Sequence, residues 1–237
     1  SAGTRYSGDH LNALCRATAR IRLREKITEP TSEALIERAL TEWSELPKLT
    51  PKEERVVATH EAGHAVCGLF CEHSSPISRI SIRGDMGGAL GYVEHQEHEH
   101  KYVLTRNRLL DDMVMLLGGR EAEELLLDDL SVGSHDDLSR TTMIARMLVE
   151  DLGMGGPSVG VLNFLNPDAD RRTRLPELSE AKRDALDKRV VELVEEARQR
   201  AAKILKENQT ILETLRDELL ARKVIDSKSL GTLLKKN

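Results

Sequence analysis

Along most of the chain, apolar residues recur every three or four positions, which is the spacing of one helix face. Residues 8–25 are rich in Leu, Ala and Arg, with Leu11, Leu14, Cys15, Thr18 and Ile21 in helical register. Ala34, Leu35, Ala39 and Leu40 repeat the pattern between Pro30 and Pro47, so a short helix over 31–43 and a linker at 44–51 are predicted. A longer helix is predicted over 51–71, stopped by Ser74-Ser75-Pro76. Ile77, Ile80 and Ile82, the turn cluster at 84–88 and the run at 89–93 predict one β-hairpin. Helices return over 105–127 and 135–152, the second ended by Gly153. Residues 155–176 read as a looser stretch, and the tail from 179 as long helices with a break near Asn208. The stripe Leu186, Val190, Leu193, Val194, Ala197, Ala201, Ile204 and Leu205, followed by Ile211, Leu212, Leu215 and Leu219, suits a bundle core, since no strict heptad runs for three repeats. The expected fold class is mainly α, a helical bundle with one small β-hairpin or sheet, in two parts covering 1–50 and 51–237.

Composition narrows the function. One Trp, three Tyr and two Phe are too few for a lectin-like or base-stacking surface, and a net charge of −5 gives no electrostatic reason to hold nucleic acid. No apolar run approaches the roughly 18–20 residues of a membrane span, and no signal peptide opens the chain. Three cysteines cannot form a disulfide framework, so free thiols are expected at Cys15, Cys67 and Cys71. The start at Ser1 instead of Met suggests a piece of a longer protein.

The chemistry concentrates in His60-Glu61-Ala62-Gly63-His64. On a helix, residues four apart lie one above the other, so His60 and His64 can grip one metal ion together. Two imidazoles and a carboxylate suit zinc, and Glu61 between them reaches a water beside the ion as a general base. The flanking Ala58, Ala62, Ala65, Val66 and Leu69 make this helix apolar, and histidines in such a setting need partners. A catalytic zinc takes a third protein ligand. Spacing leaves two sources open: the run Glu121, Glu123, Glu124, and Asp136-Asp137, although Ser134-x-x-Asp137 also reads as a helix capping box. Cys67 and Cys71 are a weaker ligand pair, and alternating histidines in Glu94-His95-Gln96-Glu97-His98-Glu99-His100 invite a second metal site or, more plainly, a solvated loop.

Thr59-His60-Glu61-Ala62-Gly63-His64-Ala65-Val66 resembles the peptidase domain of FtsH-type AAA+ zinc metalloproteases. Gly88-Ala89-Leu90-Gly91-Tyr92, Leu104-Thr105-Arg106, Leu117-Gly118-Gly119-Arg120-Glu121-Ala122-Glu123-Glu124, Gly133-Ser134-His135-Asp136-Asp137-Leu138 and Asp151-Leu152-Gly153-Met154 resemble further family segments in the same order, over about 52–234. The resemblance implies a zincin-type fold and one zinc ion held by His60, His64 and Asp137, with Glu61 catalytic, Glu121 and its neighbours structural, and His135 shaping the surroundings of Asp137. Asp136 stands where the family usually has Asn. The strand carrying Gly88, Ala89, Leu90, Gly91, Tyr92 and Val93 becomes the candidate to take an extended substrate by β-augmentation. Ser7-Gly8-Asp9-His10-Leu11-Asn12-Ala13-Leu14 is similar to the end of an AAA+ lid, so 1–50 reads as lid remnant and linker. No Gly-x-x-x-x-Gly-Lys-[Ser/Thr] loop occurs, so ATP is expected only through a module outside this chain. The connector over 43–54 is shorter than the family's and lacks its basic stretch. The same resemblance implies an endopeptidase for unfolded or damaged polypeptides, a homo-hexamer in the full-length protein, and a soluble, cytoplasmic placement of this part. The rival expectation is a proteolytically inactive scaffold or assembly subunit.

Overall fold

A computed structural model describes residues 8–43, 49–83, 90–96, 103–164 and 178–234. The chain divides into two compact units, Ser1–Thr50 with Gly84–Leu90, and Pro51–Arg83 with Gly91–Asn237. In the first, α1 (Gly8–Glu25) and α2 (Glu33–Trp43) close on Ile21, Leu35 and Ala39, with Leu14 and Ile27 against them. Lys26, at φ 56°, ends α1. Arg22 then donates to the Glu29 carbonyl (2.9 Å) and the Thr31 hydroxyl (3.2 Å), which fixes the turn into α2.

The second unit is built around α3 (Pro51–Phe70). Pro51 opens the helix, where a missing N–H loses no bond. From Ala58 to Gly68 all but one residue is buried, so the helix is enclosed on every side. Helices α4 (Arg106–Leu127), α6 (Glu180–Glu207) and α7 (Gln209–Arg222) pack against it, and α5 (His135–Arg146) lies on α4 and α6. The predicted stripes supply the core: Leu186, Leu193, Ala201 and Leu205 from α6, and Leu212, Leu215 and Leu219 from α7. The Thr105 hydroxyl accepts from Arg108 N–H, the Ser179 hydroxyl accepts from Lys182 N–H, and Asn208 stands at the break between α6 and α7. Among the described residues no helix is long and apolar enough to cross a membrane.

The mainly helical class holds, but three details differ from expectation. The hairpin is part of a three-stranded antiparallel sheet in the order β2-β1-β3, with β1 at Ile77–Ser81, β2 at Tyr92–His95 and β3 at Val224–Asp226. Strand β3 escaped prediction because it is three residues inside a helical tail. Lys223, at φ 68°, breaks α7, and its carbonyl accepts from Ile82 N–H to start the pairing. Pairing on β2 begins at Tyr92 and not at residue 89, since Leu90 and Gly91 are outside the ladder and Gly88 and Ala89 lie outside the described residues. The helix predicted over 135–152 leaves α geometry at Arg146 and continues as a π turn, Met147–Asp151.

Of the looser stretch, residues 155–164 are described, and together with Met154 before it they are held by three cationic side chains through their carbonyls. Arg106 donates to Met154 O (2.9 Å), Arg189 to Gly155 O (2.6 Å) and Lys182 to Val159 O (2.8 Å). Helix α8 (Ser227–Leu234) closes the chain and buries Leu230.

Helices α3 and α4 approach closely through their backbones. A Cβ on Gly63 would stand 2.2 Å from the Gly118 carbonyl oxygen, and one on Gly118 would stand 2.7 Å from the Gly63 oxygen. Only hydrogen fits at either position. Gly63→Ala or Gly118→Ala should therefore destabilise the chain by about 3 kcal/mol, the upper end of overpacking costs. Gly231→Ala, in open space on α8, should instead stabilise by up to about 1 kcal/mol. Urea unfolding of the three variants checks the contrast.

Candidate metal centre

Helix α3 carries His60 and His64 one turn apart on the face turned to α4 and α5, with ring centroids 4.6 Å apart and planes at 83°. Each ring has one nitrogen tied outward to α4. His60 Nδ1 bonds Glu123 Oε1 at 2.6 Å, and His64 Nδ1 bonds the Met115 carbonyl at 2.7 Å. Both acceptors require Nδ1–H, which turns each Nε2 toward the other ring and toward Asp137. The two Nε2 atoms are 2.9 Å apart, and Asp137 Oδ2 lies 3.3 Å from each. His60, His64 and Asp137 are the group among the described residues whose donor atoms could hold a metal ion, all within 4.8 Å of one another. Two imidazole nitrogens and one carboxylate oxygen, with the second ring nitrogens braced, suit zinc chemically.

The charges in this pocket are pushed apart. Burial disfavours a cation on His60, but its bonds to Asp137 and Glu123 outweigh that and raise the imidazole to about 9. Burial also opposes ionisation of Asp137, yet both histidines hold its carboxyl well below the usual range. Glu123 is likewise lowered, against burial, by His60 and by the Ser131 N–H. Glu61 goes the other way: its carboxyl is 6% exposed, and burial pushes it up against the pull of His64 and His60. Its carboxylate rests on the Gly91 backbone, where a Cβ would stand 2.6 Å from Oε1.

The other predicted residues separate clearly. Glu121 is buried in an ion network with Arg120 and Arg198, while Glu124 is exposed beside Arg120. Glu123 meets His60 at the ring nitrogen opposite Asp137, so it braces the ring. The capping box fails, since Ser134 makes no side-chain cap bond and Asp137 turns toward the histidines; Ser131 caps the preceding turn instead. His135 and Asp136 are exposed. Cys67 and Cys71 are buried free thiols outside the cluster, and burial drives both up, Cys71 to about 12. His95 Nδ1 donates to the Ser75 carbonyl (2.8 Å), and Glu97 to His100 lie outside the described residues. The bracing by Met115 and Ser131 left no signal in the sequence, because a backbone carbonyl has no code and a lone serine in a turn is commonplace.

The family model for peptidase family M41 matches residues 47–233. The chain belongs to this peptidase family. It is 36% identical over 217 residues to the ATP-dependent zinc metalloprotease FtsH of Thermotoga maritima, covering 89% of this chain and 35% of that protein. The corresponding protein of Rhodothermus marinus is 33% identical, over 97% of this chain and 33% of its own length. The yeast mitochondrial inner membrane m-AAA protease component YTA10 is 32% identical, over 97% of this chain and 30% of its own length. The M41 chain thus spans about a third of the length of the curated relatives it matches.

A proton and a metal ion compete for His60 Nε2. With the imidazole raised to about 9, the metal-free ring is cationic at neutral pH, so binding must expel a proton. Apparent zinc affinity should rise about tenfold per pH unit up to neutrality and level off near the raised value; competition titrations with a chromogenic chelator should show this slope, and a flat profile would contradict it. Gly91→Ala should displace the Glu61 carboxylate, cutting peptide turnover by about tenfold or more with zinc affinity preserved, as read by parallel cleavage and metal-binding assays.

Proposed function

We propose that this chain is the zinc-dependent endopeptidase module of an ATP-dependent FtsH-like protease. The observation that carries the reading is the convergence of His60, His64 and Asp137 donor atoms within 4.8 Å, with the buried Glu61 carboxyl beside them. His60 and His64 from α3 and Asp137 from α5 would hold one zinc ion, which would supply Lewis-acid chemistry to a peptide carbonyl and to water.

Glu61 is the general base. Its carboxyl is raised by burial, the direction that suits a group that must first take a proton from the attacking water and then give it to the leaving amine. Glu123 and the Met115 carbonyl keep both imidazoles in the tautomer that presents Nε2. Among the described residues the outer edge of β2 pairs with no other strand, and Gly91 next to it touches Glu61. An extended polypeptide pairing along 88–93, through Leu90, Gly91, Tyr92 and Val93, would pass the base. Backbone pairing of this kind accepts many sequences, as a protease of unfolded chains requires.

Residues 1–50 are the end of an AAA+ lid with its linker, and ATP acts through the rest of that module. The full-length protein is a homo-hexamer acting on unfolded polypeptides, with this part on the cytoplasmic side. No observation favours the inactive scaffold, since both histidines, the glutamate and the aspartate are all in place.

Glu61→Gln should keep zinc and lose about 10²–10⁴-fold in casein digestion, the usual weight of a general base, while His60→Ala should lose both metal and turnover. Digestion by Glu61→Gln at the parent rate would refute the assignment.

A further inference from the structure

The three proposed ligands come from two helices far apart in sequence, and something must hold α3, α4 and α5 in common register at the metal. The connection between α4 and α5 is short. Asp128, at φ 53°, ends α4, and a 3-10 turn over Val132–Ser134 opens α5. Ser131 sits between them. Its N–H donates to Glu123 Oε2 at 2.6 Å, and its hydroxyl donates to Glu123 Oε1 at 3.0 Å. The same hydroxyl accepts from Gly133 N–H at 3.2 Å, capping the turn that leads into Asp137. Glu123 Oε1 is also the atom that bonds His60 Nδ1.

We infer that Ser131 is a positioning residue of the metal centre: it locks Glu123 against His60 and, through the turn it caps, sets where Asp137 enters. The inference rests on the reading of His60, His64 and Asp137 as zinc ligands. The Glu123 side chain is only 1% exposed, so water cannot replace a lost donor at little cost. With the Ser131 hydroxyl gone, Oε1 keeps a single partner, and the carboxylate can rotate about its remaining bond to the Ser131 N–H. His60 then loses a fixed orientation, and the turn before Asp137 loses its cap in the same step. A hydroxyl is what the position needs, and the β-methyl of threonine leaves that hydroxyl available.

The test compares the 237-residue parent with Ser131→Ala, Ser131→Thr and Ser134→Ala. The last is a matched serine deletion in the same turn, whose hydroxyl makes no cap bond and reaches the Ser131 carbonyl at 3.5 Å, with no hydrogen bond to Glu123. Zinc dissociation constants come from chelator competition, and kcat and KM from cleavage of an unfolded substrate. Ser131→Ala should weaken zinc binding about tenfold, within the range for partners that orient a ligand. It should lower kcat with KM near the parent value. Ser131→Thr should return both quantities to within about threefold of the parent, and Ser134→Ala should leave them there.

Unchanged zinc affinity in Ser131→Ala, equal loss in Ser131→Thr, or equal loss in Ser134→Ala would each overturn the inference while leaving the ligand assignment intact. A parent chain that binds no zinc would overturn the ligand assignment and this inference together.

Discussion

Helices α3 and α4 cross with their backbones in contact, and the rest of the site depends on that distance. The Gly63 and Gly118 carbonyls occupy the space where side chains would stand, and Gly119 lies where a Cβ would come within 2.6 Å of the His60 ring. A wider crossing would carry Glu123 and the Met115 carbonyl beyond hydrogen-bond reach of the two imidazoles. Small residues in the middle of α4 weaken it as an isolated helix, and the burial of Met113, Val114 and Leu117 around them restores the balance. Local helical preference is thus subordinate to the approach of the two helices.

That approach also explains how three carboxyl groups in one pocket come to differ. Asp137 and Glu123 each face an imidazole and remain anionic, whereas Glu61 looks toward the Gly91 backbone and takes its character from burial. Environments that push like groups apart are the means by which one pocket assigns separate roles. The two anions brace or face the rings from opposite nitrogens, and the third group is free to exchange a proton. The network on the far side of α4, where Glu121 meets Arg120 and Arg198, ties the helix to α6 without drawing charge from the pocket.

The sheet serves the site by position. β1 is flanked on both sides, by β2 and by the short β3 that arrives from the end of α7, so β2 is left at an edge. His95, bonded to the Ser75 carbonyl, fixes the far end of β2 to the segment that follows α3. Glu61 and the strand edge are therefore both tied to one helix, with contacts at Gly91 and at His95.

Helix periodicity, the break near Asn208 and the pair His60 and His64 were all legible from the chain, because each depends on residues within a turn or two of one another. Periodicity could not locate β3, three residues long, nor the π turn after Arg146, since neither has a repeat to detect. Spacing alone left Asp137 level with the glutamates of α4, and the resemblance to a family, not any local pattern, separated them in the sequence. Only the folded chain decided which nitrogen each acid faces: Glu123 on Nδ1, Asp137 on Nε2, Glu61 on neither. That decision belongs to tertiary structure because a carboxylate's role is set by distance and burial, and both arise when glycine-lined helices meet from opposite ends of the domain.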